Sequence, residues 1–333
     1  MKKLTFLFTS LLFILLFLTA CSSGDSEKAE HSWRAASHVP EDHPNSQALE
    51  EISERVYEES EGRIDIKVHP ANQLGDYSVV YEEIGKGTIE MGSISTPSQL
   101  DKNLELVFMS YLVKDYDEVQ DVYRKDSELF DFLYDKHQDL DVKLLGFHAE
   151  GFGGIGTINE IDNLKPGEDK GLEIRVPQQK VFELPMGELG FNTTSIPYED
   201  LYTSMQTGAA DGWSGGGLTP NYTEFRDVIK YFYQTNDFFD ASSIMISQQI
   251  WEDLNEEDQD MIQDIVNDVA KESIEVAEEN EEEYREKLED EGVKYIELSD
   301  EEIEDYSNYV HENVWPELED QFDDNILDKL SEQ

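Results

Sequence analysis

Apolar positions along the chain fall into two repeating patterns. Ile64, Ile66 and Val68 occupy every second position, as one buried face of a strand requires. Ahead of them Ala48, Leu49, Ile52 and Val56 recur at helical spacing, with Asp42 or His43 placed to cap the helix and Pro44 in its first turn. Residues 33–37 read as the first strand, a short helix follows Gly75 as far as Ile84, and another strand lies around 90–94. The same two signals alternate through 142–147, 172–176, 181–189 and 199–206. Such alternation predicts an α/β fold of mostly parallel sheets with helical crossovers.

The last third differs. From Glu256 to Glu289 there is no glycine or proline, and Ile262, Ile265, Val266, Val269 and Ala270 keep helical spacing. One helix of ~34 residues would be about 50 Å long at 1.5 Å per residue, longer than one small domain is wide. It is expected to lie across two lobes. No internal repeat or long linker separates the lobes, so several chain crossings should join them.

At the start, Lys2 and Lys3 precede an apolar run from Leu4 to Leu18 and then Leu18-Thr19-Ala20-Cys21. This is the pattern of an export signal ending in a lipobox, with Cys21 as the residue that receives lipid. A membrane-spanning helix is the competing reading. It needs ~20 apolar residues, and this run is shorter and carries Thr5, Thr9 and Ser10. Residues 22–30 then form a solvated tether, and the acylated cysteine would hold the protein at a membrane surface, on the periplasmic face or the cell surface.

Cys21 is the only cysteine, so disulfides cannot stabilise the rest of the chain. The 333 residues carry 25 basic and 76 acidic side chains, a formal charge of −51. Nucleic acid is excluded as a partner, because binding it requires a basic footprint. The carboxylates are spread throughout and interspersed with 16 Phe and 16 Tyr. That distribution argues against disorder and for a solvated surface suited to high salt.

Enzyme motifs are weak or missing. Gly151-Phe152-Gly153-Gly154-Ile155-Gly156 fits GxGxxG, yet residues 157–166 offer no helix whose N-terminus could receive a pyrophosphate. There is no GxSxG. The histidines at 31, 38, 43, 69, 137, 148 and 311 show neither HExxH nor any other zinc-ligand spacing. No cofactor, metal or catalytic residue is expected.

Arg175 stands at the end of an apolar strand, in Ile174-Arg175-Val176-Pro177. A buried guanidinium is costly unless a partner satisfies it. Its planar fork suits a carboxylate, which could belong to a ligand or to one of the protein's own acidic side chains.

The first half of the chain contains His38-Val39-Pro40-Glu41-Asp42-His43-Pro44, Gly62-Arg63-Ile64, Pro70-Ala71-Asn72-Gln73-Leu74-Gly75 and Gly87-Thr88-Ile89-Glu90-Met91-Gly92. Further on come Lys170-Gly171-Leu172-Glu173-Ile174-Arg175-Val176-Pro177 and Tyr202-Thr203-Ser204-Met205-Gln206-Thr207-Gly208-Ala209-Ala210-Asp211-Gly212. Taken in order, these segments resemble the solute-binding proteins of TRAP transporters, the DctP-like family, and the likeness covers about 31–325. The resemblance implies a two-lobed periplasmic-binding-protein-like fold closing by a hinge, and no enzymatic activity. It implies capture of a small organic acid and delivery to TRAP membrane permease subunits. By it, residues 31–150 with about 241–275 would form one lobe, and 151–240 with about 290–333 the other. A sensor for a signalling system on the same fold and a cell-surface hydrolase are the alternatives.

The same resemblance makes Arg175 the carboxylate-binding residue. Two departures narrow the ligand: Gly153 stands where many members have a second arginine, and the asparagine that many place after Asp-Gly is missing beyond Asp211-Gly212. A monocarboxylate or polar carboxylate is therefore expected rather than a dicarboxylate. Glu150, near the missing arginine, is placed to accept from an amine or hydroxyls, unless it is a solvated loop carboxylate. Trp213 and Phe152, in glycine-rich loops, and Trp33 and His38, at the first strand, are expected to line the cleft. Trp251 and Trp315, on helical patterns, read as packing residues.

Overall fold

The computed structural model describes residues 29–323 and 325–331. Cys21 and most of the expected tether lie outside the described residues. Among those described, no helix is long and apolar enough to cross a membrane.

Among the described residues, eleven strands form two sheets. The first has the order β2 (Ile64–His69), β1 (His31–Ser37), β3 (Met91–Ile94), β10 (Phe239–Ser247), β4 (Val142–Phe152). The second runs β11 (Lys294–Glu297), β9 (Tyr231–Gln234), β5 (Gly154–Thr157), β8 (Gly212–Gly216), β6 (Glu173–Val176), β7 (Asn192–Ser195). Both are mixed, where the alternation predicted mostly parallel pairing. β1 pairs parallel with β2 and β3, and β6 with β7 and β8, as helical crossovers require. β10, however, runs antiparallel to β3 and β4, and β5 antiparallel to β8 and β9. The reason is that β4 passes through Gly153 straight into β5 of the other sheet, while β9 returns through residues 235–238 into β10. The two passages run in opposite senses, so β4 lies antiparallel to β10 and β5 antiparallel to β9.

That crossing explains Gly153. The Gly153 amide donates to the Phe238 carbonyl at 2.9 Å, and a Cβ added there would stand 2.1 Å from the buried Phe238 ring. No side chain fits at this position, least of all an arginine.

Local signals held where the pattern was periodic. In the Pro44–Glu59 helix the His43 side chain accepts from the Asn45 amide, and Leu49, Ile52 and Val56 are buried. The long helix runs Glu256–Asp290, capped by Asn255 with three acidic residues in its first turn, where they favour the positive end of the helix dipole. Its 35 residues extend ~52 Å. It packs on β4 and the Pro44–Glu59 helix at one end and on β11 and the Leu218–Thr223 helix at the other, so it spans both sheets.

After β11 the chain turns back. Gln321 donates to Glu105 at 2.8 Å, and the Asp323 carboxylate meets Lys136 at 2.7 Å. The C-terminal segment, expected to belong with the second sheet, thus also braces segments that precede β4.

Candidate functional site

The carboxyl ends of β1 and β3 face β6 and β8 across a cavity of about 90 Å³, and the crossing strands β4 and β10 close its floor. Ligands of open α/β sheets bind at such strand ends. A larger mouth of about 390 Å³ shares His38, Asn72, Tyr198 and Glu199 with it. Ala71 and Asn72, on this rim, both have positive φ (53° and 57°), a conformation uncommon outside glycine. The Ala71 amide is tied to the Val39 carbonyl at 2.8 Å.

Arg175 reaches the cavity from β6. It is 4% exposed, its Nε donates to the Ile196 carbonyl at 2.8 Å, and its guanidinium lies 5.8 Å from the Tyr198 ring centre. Among the described residues no carboxylate lies within ion-pair distance of it, so the internal salt bridge open from sequence is not formed. Burial pushes its pKa down to about 10. Gly215, φ 120°, leaves room beside it: a Cβ there would press on Pro177 at 2.9 Å and stand 3.6 Å from Arg175 Nη1.

Glu150 reaches the same cavity from β4 of the other sheet. Its Oε1 accepts from Asn45 Nδ2 at 2.7 Å and Ser242 Oγ at 2.6 Å. His43 Nδ1 accepts the Asn45 amide hydrogen at 3.3 Å, so its proton sits on Nε2, 3.6 Å from Glu150 Oε2. Burial lowers the His43 pKa to about 4, leaving it neutral at pH 7. Burial alone would raise the Glu150 carboxyl; the flanking imidazoles and the Ser242 hydroxyl outweigh it and hold the carboxyl below the ordinary range. Asp240, also on the wall, is pushed well up by burial and then by the Glu150 charge. His38 lines both cavities with a buried Nδ1 that has no partner. Among the described residues, no group of His, Cys, Asp or Glu is arranged to hold a metal ion.

Arg175, Glu150, His38 and Trp213 therefore converge on one cavity. Trp213 does so from within the wall: it is 0% exposed, its Nε1 donates to Asn221 Oδ1 at 3.0 Å, and its ring packs on Phe225. Two expectations are corrected. Phe152 is not in the lining; it ends β4 with its ring 5.2 Å from both Tyr116 and Phe239 in the main core. Trp33 is also absent from the lining. It alternates inward on β1 with Ala35, and packs in the core cluster that holds Leu49, Ile52 and Val269. Trp251 is buried in that cluster as well, and Trp315 donates to the Ser110 carbonyl, as packing residues do.

Asn45, His148, Asp240 and Ser242 escaped sequence reasoning. His148 and Glu150 alternate on one face of β4, and Ser242 pairs with His148 across the ladder. Polar residues at alternate positions of an otherwise apolar strand were the available signal. Tyr77, Phe108, Phe182 and Tyr198 supply the apolar lining.

The chain matches the family model for bacterial extracellular solute-binding protein, family 7 (DctP), over residues 35–321. A solute-binding protein of Chromohalobacter salexigens is 26% identical over 303 residues, covering 86% of this chain and 87% of that one. The C4-dicarboxylate-binding periplasmic protein DctP of Rhodobacter capsulatus is 23% identical, covering 72% and 74%. Among solved structures, a TRAP periplasmic solute-binding protein from Haemophilus influenzae with bound L-gulonate superimposes with a TM-score of 0.82 at 22% identity, covering 91% of this chain and 99% of that one.

Proposed function

Because the chain belongs to family 7 of the bacterial extracellular solute-binding proteins, whose members are binding proteins and not enzymes, we propose that it captures a small organic acid between its two sheets and passes it to TRAP membrane permease subunits. One observation carries the ligand class: Arg175 is buried at the cavity wall with its Nε engaged and, among the described residues, no carboxylate within ion-pair distance of its fork. A carboxylate accepting from both Nη atoms would offset the cost of burying that charge. Glu150 faces it with an anion rather than a second cation, which favours a monocarboxylate over a dicarboxylate. Cys21 would carry the lipid that keeps the receptor near its permease, on the extracytoplasmic side.

The relatives' ligands support the class. The R. capsulatus relative is named for C4-dicarboxylates and the H. influenzae neighbour holds L-gulonate. The test is a thermal-shift screen of the purified protein, residues 22–333, against small carboxylic acids and matched neutral solutes. A ligand at 100 times its Kd adds ~2.7 kcal/mol of stability. Shifts from one or more carboxylates and none from their amides are expected; shifts from neutral solutes alone would overturn the reading.

A further inference from the structure

The cavity lining carries opposite charges, Arg175 and Glu150, and among the described residues neither is paired with the other or with another Arg, Lys, Asp or Glu. Among the described residues that line the cavity, Arg175 is the only arginine or lysine, against four carboxylic side chains: Asp76, Glu150, Glu199 and Asp240. Arg175 bonds only to a carbonyl. The Glu150 carboxylate is held by Asn45 and Ser242, both uncharged; His43, which is neutral at pH 7, stands 3.6 Å from its Oε2, and His148 Nδ1 stands 3.7 Å from its Oε1. Among the described residues Arg175 has no carboxylate partner, and Glu150 has no arginine or lysine within ion-pair distance; burying an ion without such a partner is costly.

A simple monocarboxylate would satisfy Arg175 and leave Glu150 facing an apolar tail. A dicarboxylate would bring a second negative charge to a lining that already has an acidic excess. From the placement of Arg175 and Glu150 in the lining of one cavity, one from each sheet, we infer that the solute is a zwitterion, with a carboxylate on Arg175 and an ammonium directed at Glu150. Such a solute is neutral overall and gives both buried ions a partner. The aromatic lining, with Tyr77, Phe108 and Phe182, packs on its carbon frame and offers ring faces to the ammonium.

This inference rests on the proposed carboxylate-binding role of Arg175. Its test separates the two. Calorimetry on the wild-type protein and Glu150→Gln compares three sets matched in chain length. One is the amino acids β-alanine, 4-aminobutyrate and 5-aminovalerate. The others are their counterparts ending in methyl (propionate, butyrate, valerate) and in carboxylate, with D-glucuronate added as a polyhydroxy acid. The wild type should bind at least one amino acid about tenfold or more tighter than every other probe, a preference that Glu150→Gln removes. Equal or tighter binding of a methyl-ended, dicarboxylic or uronic acid overturns the zwitterion and leaves the role of Arg175 standing. Binding of no probe overturns both. An amino-acid preference that persists in Glu150→Gln also overturns the assignment. Thermal melting of Glu150→Gln without solute shows that its fold is intact.

Discussion

Replacing Arg175 by methionine should stabilise the unliganded protein. The structure gives the terms. A guanidinium pKa lowered to about 10 by burial corresponds to ~3 kcal/mol of cost for keeping the charge in the fold. A base whose folded pKa lies below its unfolded value is penalised wherever it is protonated, so the cost is fully present below pH 10 and disappears only above the ordinary guanidinium pKa. At pH 7 it acts in full. Methionine keeps the apolar stem and gives up the Nε hydrogen bond to the Ile196 carbonyl, a loss of ~1 kcal/mol. The expected net gain is about 1–2 kcal/mol. Urea unfolding of both proteins at pH 7 without solute, fitted with a common slope, measures it. A methionine variant less stable than wild type by 1 kcal/mol or more would refute the reasoning, because it would show that Arg175 supports the fold.

Two further outcomes follow from charge. With 76 acidic against 25 basic side chains, the melting temperature should climb as sodium chloride rises from low to molar concentration, since screening relieves self-repulsion; a flat or falling curve contradicts the high-salt reading. His137 is buried with its pKa lowered from 6.5 to about 3 by desolvation, and it contacts Tyr81 at 2.7 Å. Its unfolded form takes up a proton that the folded form refuses, so stability should fall as pH drops below 6.5, by about 3 kcal/mol at pH 4. Urea midpoints between pH 4 and 7 should fall less steeply in His137→Gln than in wild type, and identical slopes would contradict the neutral buried imidazole.

Much of the fold could be read where a period was long enough to exclude alternatives. The Glu256–Asp290 helix is the clearest case: no glycine or proline interrupts it, and its apolar stripe keeps one face for most of its length. Ile64, Ile66 and Val68 likewise point inward in β2. Strand direction could not be read. Apolar alternation is the same in both senses, and the sheet-changing passages at Gly153 and at 235–238 carry no periodic signal. Arg175 was legible because a guanidinium in an apolar strand demands a reason. Glu150 was visible, but its holders Asn45 and Ser242 are 105 and 92 residues away in sequence, and only the folded sheets bring them together. Phe152 and Trp33 misled for one reason: an aromatic ring beside glycines or at a strand start looks the same whether it faces a cleft or a core. Gly153 was noted as a missing arginine; its steric cause, the Phe238 ring, appears only in three dimensions.

The central claim is that Arg175 holds the carboxylate of a captured solute. Calorimetry of wild type, Arg175→Ala and Arg175→Lys with the tightest carboxylate from the thermal screen tests it most directly. Removing one partner of a buried charge pair costs ~3–5 kcal/mol, roughly a hundredfold or more in Kd. Lysine should recover only part of this, because an ammonium cannot reproduce the two-pronged contact. The expected result is therefore a loss of about a hundredfold or greater in Arg175→Ala with its unliganded melting temperature retained or raised. Binding within about threefold of wild type, or a defect confined to unliganded stability, would contradict the claim.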